Sequence, residues 1–146
     1  MSIEIRLYQE SDRPFLRTLY LASRRDAFSW RDGECFHLED FDRATLGETI
    51  LVAIDGDQHL GFASIFIEES FLHNLFVDPA AQYLGAGKAL LLAAHALFTR
   101  HGSLKCLEKN QRALAFYQKQ GWMAIATGKS IDGDYILMHW HNEKIK

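Results

Sequence analysis

The sequence predicts an α/β (α+β) fold: a single mixed, mostly antiparallel central sheet flanked by helices, with residues 1–146 forming one domain. Three observations predict it. Short segments with period-2 apolar alternation are interspersed with helical segments along the whole chain. Two hairpin signals, Asp55-Gly56-Asp57 and Ile131-Asp132-Gly133-Asp134, join strands that follow each other directly. No linker, repeat or low-complexity stretch interrupts the pattern.

Taken in order, Ile3, Ile5 and Leu7 alternate with polar residues and predict a half-buried strand. Ser11 or Asp12 then caps a helix with Pro14 in its first turn, an apolar face of Phe15, Leu16, Leu19, Tyr20 and Ala22, and an end near Ala27. The stretch from Phe28 to Asp42 has no clean period and reads as a loop with a short helix around His37–Phe41. Strands follow at Ile50–Ile54, about Leu60 to Glu68, and about Leu72 to Val77, the last ended by Asp78-Pro79. A helix of high propensity starts near Gly85 and runs through Arg100, with Gly102 as its stop. A strand at Leu104–Leu107, a helix at Arg112–Gln120 stopped by Gly121, and strands near Trp122–Ala126 and Tyr135–Trp140 complete the chain.

Composition narrows the function classes. Hydrophobic residues make up 48% and charged residues 24%, the balance of a soluble globular protein, and the net charge of −3 argues against nucleic acid as a general partner. The N-terminus lacks the apolar run of a signal peptide, and no apolar stretch approaches the roughly 18 residues of a membrane span. The two cysteines, Cys35 and Cys106, have neither disulfide-framework nor zinc spacing. A cytoplasmic protein without a metal is expected.

The most informative segment is Gln82-Tyr83-Leu84-Gly85-Ala86-Gly87-Lys88, set between a strand and a helix. The first turn of a helix offers unpaired N–H groups at the positive end of its dipole, and glycines let backbone come close to a phosphate. A bare G-x-G also serves as a simple turn, so the context has to select the ligand. A P-loop needs a hydroxyl where Ala89 stands, and a dinucleotide fingerprint needs a third glycine where Leu90 stands.

The phrase Leu75-Phe76-Val77-Asp78-Pro79 followed by Gln82–Leu91, together with Asn110 to Trp122 containing Ala113, Phe116-Tyr117 and Gly121, resembles the two coenzyme A segments of the GCN5-related N-acetyltransferase superfamily. The segments stand in family order, and the element order fits that family's fold over nearly the whole chain. The resemblance implies a bulged strand before the loop, splayed from the next strand so that the pantetheine arm of an acyl-CoA lies in the gap. It implies that the backbone of Leu75, Phe76 and Val77 pairs with pantetheine amides. Gln82, Tyr83, Leu84, Gly85, Ala86, Gly87 and Lys88 would hold the pyrophosphate, and Asn110 and Tyr117 would face the arm from the other side. Tyr83 and Leu84 replace basic residues common in relatives, so the binding rests on backbone N–H groups and Lys88.

The implied reaction is direct acetyl transfer from acetyl-CoA to an amine, with Tyr117 as the acid that protonates the leaving thiolate. A non-catalytic acyl-CoA sensor on the same fold is the alternative. Deprotonating a lysine-like amine at pH 7 costs about 4.6 kcal/mol, against about 1 kcal/mol for an α-amine, so a base matters most for lysine. Glu68, Glu69, His73 and Glu108 are candidates, as is a chain of water molecules. His73 is expected to share a strand face with Leu75, opposite Asn74. His139 and His141 read as a solvated strand end rather than a metal site. Phe28, Trp30 and Trp140 are candidates to line an acceptor pocket or to join the core, and the Phe28–Glu39 stretch to shape the acceptor site. The acceptor itself, a small-molecule or peptide amine, is not legible. A homodimer through the C-terminal strands would be common in such a family.

Overall fold

The computed structural model describes residues 2–27, 36–82 and 84–145. Seven strands form one sheet in the order β1-β2-β3-β4-β5-β7-β6. These are β1 (Glu4–Leu7), β2 (Thr49–Asp55), β3 (Gln58–Phe66), β4 (Phe71–Val77), β5 (Gly102–Leu107), β6 (Trp122–Ser130) and β7 (Gly133–Trp140). Every neighbouring pair is antiparallel except β4 and β5, which run parallel. The mixed, mostly antiparallel sheet expected from the sequence is therefore present.

Among the described residues, four α-helices cover it: α1 (Arg13–Ala27), α2 (Asp40–Ala44), α3 (Ala86–Leu97) and α4 (Gln111–Lys119). Strand alternation sorts the core into two layers. Leu51, Ala53, Ala63 and Ile65 pack with Leu90, Leu91 and Ala94 of α3 and with Leu114 of α4. Val52 and Phe62, on the other face, pack with Leu16 and Tyr20 of α1 and Phe41 of α2. Each such fully buried large side chain contributes about 1.5–3 kcal/mol.

Two elements differ from the sequence reading. The N-terminal helix is led in by a 3-10 turn at Glu10–Asp12, with Gln9 as its N-cap. Asp12 accepts the Gln9 N–H at 2.8 Å but also turns inward, taking both Arg6 amino groups at 2.8 Å and His59 Nε2 at 2.8 Å. The Arg6 hydrogen bonds hold its carboxyl well below the usual carboxylate range. Gly102, expected as a helix stop, instead begins β5, and α3 ends at Leu97 because Phe98 turns to extended backbone. The glycine is there for packing: a Cβ would stand 2.5 Å from the Phe98 ring and 2.9 Å from Trp122.

Candidate active site

The site begins where β4 and β5 part. Their only paired residues are Phe71 and Ser103. Ser70, wholly buried and in the left-handed region at φ 51°, fastens that end. Its hydroxyl accepts the N–H groups of Thr99 at 2.9 Å and Arg100 at 2.8 Å, and its carbonyl accepts the Ser103 N–H at 3.0 Å. Beyond this clamp, the β4 edge from Leu72 to Val77 has no strand partner on the β5 side, while its other edge remains paired to β3. Unpaired N–H and C=O groups along such an edge are a template for an extended ligand carrying amides.

A bulge sits at the head of this edge. Ser64 pairs with Asn74 and Ile65 with Leu72, so His73 is the extra residue on β4. The bulge breaks the expected alternation. His73 Nδ1 lies 2.7 Å from Glu48 Oε2, in the segment between α2 and β2, and Asn74 Nδ2 donates to Ala44 O of α2 at 3.4 Å and to Ser64 Oγ at 2.7 Å. Leu75 packs on the opposite layer, with α3 and α4. His73 and Leu75 thus do not share a face: His73 joins Asn74 in reaching the α2–β2 segment.

The glycine loop follows β4 through Asp78, whose carboxylate accepts the Ala80 N–H at 3.0 Å and caps a 3-10 turn at Pro79–Ala81. Gln82 continues in extended backbone. Tyr83 lies outside the described residues. Gly85 takes φ +92°, a left-handed conformation that favours glycine, with open space where a Cβ would be. It is the N-cap of α3, and the first helical hydrogen bond runs from Ala89 N to Gly85 O at 3.0 Å. The N–H groups of Gly85, Ala86 and Lys88 have no backbone partner among the described residues. Leu84, Gly85 and Lys88 are exposed and Ala86 is buried beneath them. This end of α3 can hold a diphosphate through backbone donors, the dipole and the Lys88 ammonium.

The second motif comes to the same place. A Cβ on Gly87 would stand 3.6 Å from Val77 Cγ2 and 3.7 Å from Phe116 Cζ, so the end of β4, the start of α3 and the middle of α4 converge. Asn110, exposed, is the N-cap of α4, its Oδ1 accepting the Ala113 N–H at 3.1 Å. Tyr117 packs against the layer containing Leu75, Val77 and Cys106, with the Phe116 ring centroid at 5.3 Å and that of Trp122 at 6.1 Å. Burial, with a further contribution from Cys106, pushes its phenol well above the ordinary value, so it keeps its proton across the neutral range. Burial also pushes the Cys106 thiol up to about 11, which makes it an unreactive neighbour.

The other candidates are placed as follows. Glu108 is exposed at the end of β5, and its backbone N–H is tied to Asp134 O at 2.9 Å. Glu68 and Glu69 are exposed in the 3-10 turn between β3 and β4. His139 is exposed, and His141 stacks on His101 with centroids 4.8 Å apart; no metal-binding group of three or more donors occurs among the described residues. Trp140, half-buried, packs against the core and stacks on His95 at 3.9 Å. Phe28, Trp30 and the rest of residues 28–35 lie outside the described residues. Glu48 was missed by the sequence reading. It lies 25 positions from His73 in the chain, and only the register of β2, β3 and β4 brings the two together.

Comparison with known proteins adds to this geometry. A family model described as an acetyltransferase (GNAT) domain matches residues 46–124, more than half of the chain. The peptidyl-lysine N-acetyltransferase YiaC of Escherichia coli is 36% identical over 124 residues, covering 81% of this chain and 82% of that protein. Among solved structures, the PaiA N-acetyltransferase of Thermoplasma acidophilum, in complex with coenzyme A, superposes with a TM-score of 0.77 at 20% identity, covering 97% of this chain and all of its own. YncA of Salmonella typhimurium, with acetyl-CoA, gives a TM-score of 0.74 at 18% identity, covering 99% of this chain and 96% of its own. At these identities the two structures speak for the fold.

Proposed function

This chain belongs to the GNAT acetyltransferase family, and from that premise we propose that it moves the acetyl group of acetyl-CoA to the side-chain amine of a peptidyl lysine. Acetyl-CoA-dependent transfer to an amine is the family's reaction. The lysine is suggested by the YiaC relative, a peptidyl-lysine N-acetyltransferase. The observation that carries the reading is the unpaired β4 edge leading into the N–H groups at the start of α3. It suits a ligand with an amide-bearing arm joined to a diphosphate, and acetyl-CoA supplies an activated thioester at the end of that arm. A cytoplasmic site of action goes with the proposal. Among the described residues no helix is long and apolar enough to cross a membrane.

Residue roles follow in the same proposal. Backbone groups of Leu75, Phe76 and Val77 take the pantetheine amides. Gln82 and the N–H groups of Gly85 to Lys88 take the pyrophosphate. Asn110 Nδ2 is left for the arm, since its oxygen already caps α4. Tyr117, neutral and partly buried, gives its proton to the departing sulfur. We assign acceptance of the amine's proton to His73 rather than Glu108, because His73 stands at the bulge where β4 leaves β5.

The test is thiol release from acetyl-CoA with two peptides: one with a free lysine and blocked N-terminus, one with a free N-terminus and no lysine. The expected result is turnover of the first well above both the second and the hydrolysis blank. Equal or preferential use of the α-amine contradicts the lysine assignment, and no turnover with any amine returns the chain to an acyl-CoA sensor.

A further inference from the structure

We propose that Glu48 is a positioning residue that holds His73 in the tautomer able to take a proton from the acceptor, an inference that rests on the lysine reading above. The contact is Glu48 Oε2 to His73 Nδ1 at 2.7 Å. An ionised carboxylate only accepts hydrogen bonds, so Nδ1 carries the proton and Nε2 the lone pair. Nε2 has no hydrogen-bond partner among the described residues, and the His73 side chain is 42% exposed, open to an incoming amine.

Glu48 is built for this contact. Its side chain is only 11% exposed, and its other oxygen, Oε1, is buried with no hydrogen-bond partner among the described residues. A shielded carboxylate with one partner directs its charge at that partner, since little water competes for it. The segment is held on both sides of the pair. Glu48 N–H donates to Thr45 O at 3.0 Å, Thr45 Oγ1 donates to Phe41 O at 2.8 Å, and Asn74 ties the bulge to Ala44 O and Ser64 Oγ. The bulge presents the ring and the α2–β2 segment presents the carboxylate. Neither explains the other as packing, because a half-exposed histidine contributes little to a core.

The arrangement answers a specific need. With a pKa of about 10.4, only on the order of one lysine in 2,500 is neutral at pH 7. The acceptor ammonium gives one proton to His73 Nε2. Its nitrogen then bonds the thioester carbonyl carbon, and the carbon–sulfur bond breaks. The sulfur takes the Tyr117 proton, and the second proton leaving the nitrogen restores Tyr117. The products are the amide, the free thiol and one proton that passes from His73 to water.

The experiment compares wild type with Glu48→Gln and Glu48→Asp on the lysine peptide across pH, with acetyl-CoA affinity measured on each. Nitrogen NMR of the wild-type His73 ring reads its tautomer without any substrate. The expected results are a wild-type ring protonated at Nδ1, and a kcat/KM for Glu48→Gln about 10-fold or more below wild type near pH 7 with unchanged acetyl-CoA affinity. The deficit closes as the pH approaches the acceptor's own pKa of about 10, and Glu48→Asp recovers part of it. A ring protonated at Nε2, full activity in Glu48→Gln, or a deficit constant across pH each overturn the proposal. A wild type that turns over no lysine peptide overturns the lysine reading instead, and the tautomer then decides the Glu48 contact alone.

Discussion

Acid costs this fold about 3 kcal/mol at one side chain, His95. The residue lies on α3 and is 8% exposed. Its ring stacks on Trp140 at 3.9 Å, and its Nε2 accepts the indole N–H of Trp122 at 3.1 Å. Burial pushes its pKa down from 6.5 to about 4. Protonation would place a charge between two indoles and set Nε2–H against the Trp122 donor. The unfolded chain takes up this proton below about pH 6.5 while the folded chain refuses it until about pH 4, so the unfolded state is favoured progressively as the pH falls. At about 1.4 kcal/mol per pH unit, the gap between those two values is worth about 3 kcal/mol, fully present above 6.5 and lost by about 4. Urea unfolding of wild type and His95→Gln, followed by tryptophan fluorescence from pH 7 down to about 4, isolates the effect. The substitution is expected to be most destabilising at pH 7, with the gap between the proteins closing by about 3 kcal/mol over that range. A gap that stays constant within about 1 kcal/mol refutes the reasoning, whatever the absolute stabilities.

Replacing Tyr117 with Phe removes the phenol proton that the proposal gives to the leaving sulfur, while keeping the ring that packs against Trp122. Steady-state assays are expected to show kcat lower by about 100-fold or more and acetyl-CoA affinity within about twofold of wild type; unchanged kcat would remove Tyr117 as the acid. Replacing Gly61 with Ala places a Cβ 2.4 Å from the Phe76 carbonyl oxygen and 3.0 Å from Val77 Cα. That pushes on the paired side of the same β4 segment whose free edge is proposed to take the coenzyme. Denaturation is expected to report a loss of about 1–3 kcal/mol, and calorimetry a weaker acetyl-CoA affinity; an unchanged affinity would separate the β4 edge from binding.

Much of this was legible in the sequence because it is local. The apolar run Ile50–Ile54, followed by the Asp55-Gly56-Asp57 turn and a second apolar run, marks two paired strands whatever lies on either side. The turn at Gly56 and the conformation at Gly85, both at positive φ, follow from backbone chemistry at single residues. What was not legible depends on contacts distant in the chain. A glycine after a helix looks like a stop, yet Gly102 is needed because Phe98 and Trp122 crowd a strand. Asp12 looks like a cap, yet Arg6 and His59 draw it inward from two strands. Strict alternation set His73 beside Leu75, and one bulged residue moved it to Glu48. Trp140 read as pocket or core, and its stack on His95, 45 positions away in the chain, follows from the fold.

The central claim is that the β4 edge and the start of α3 together hold an acyl-CoA. Amide hydrogen exchange with and without acetyl-CoA measures this residue by residue. Slowed exchange is expected at N–H groups of Leu75 to Val77 that face the gap and at Gly85 to Lys88, with the outer strand β1 unchanged. Protection absent from both segments, or confined to another part of the sheet, would contradict it.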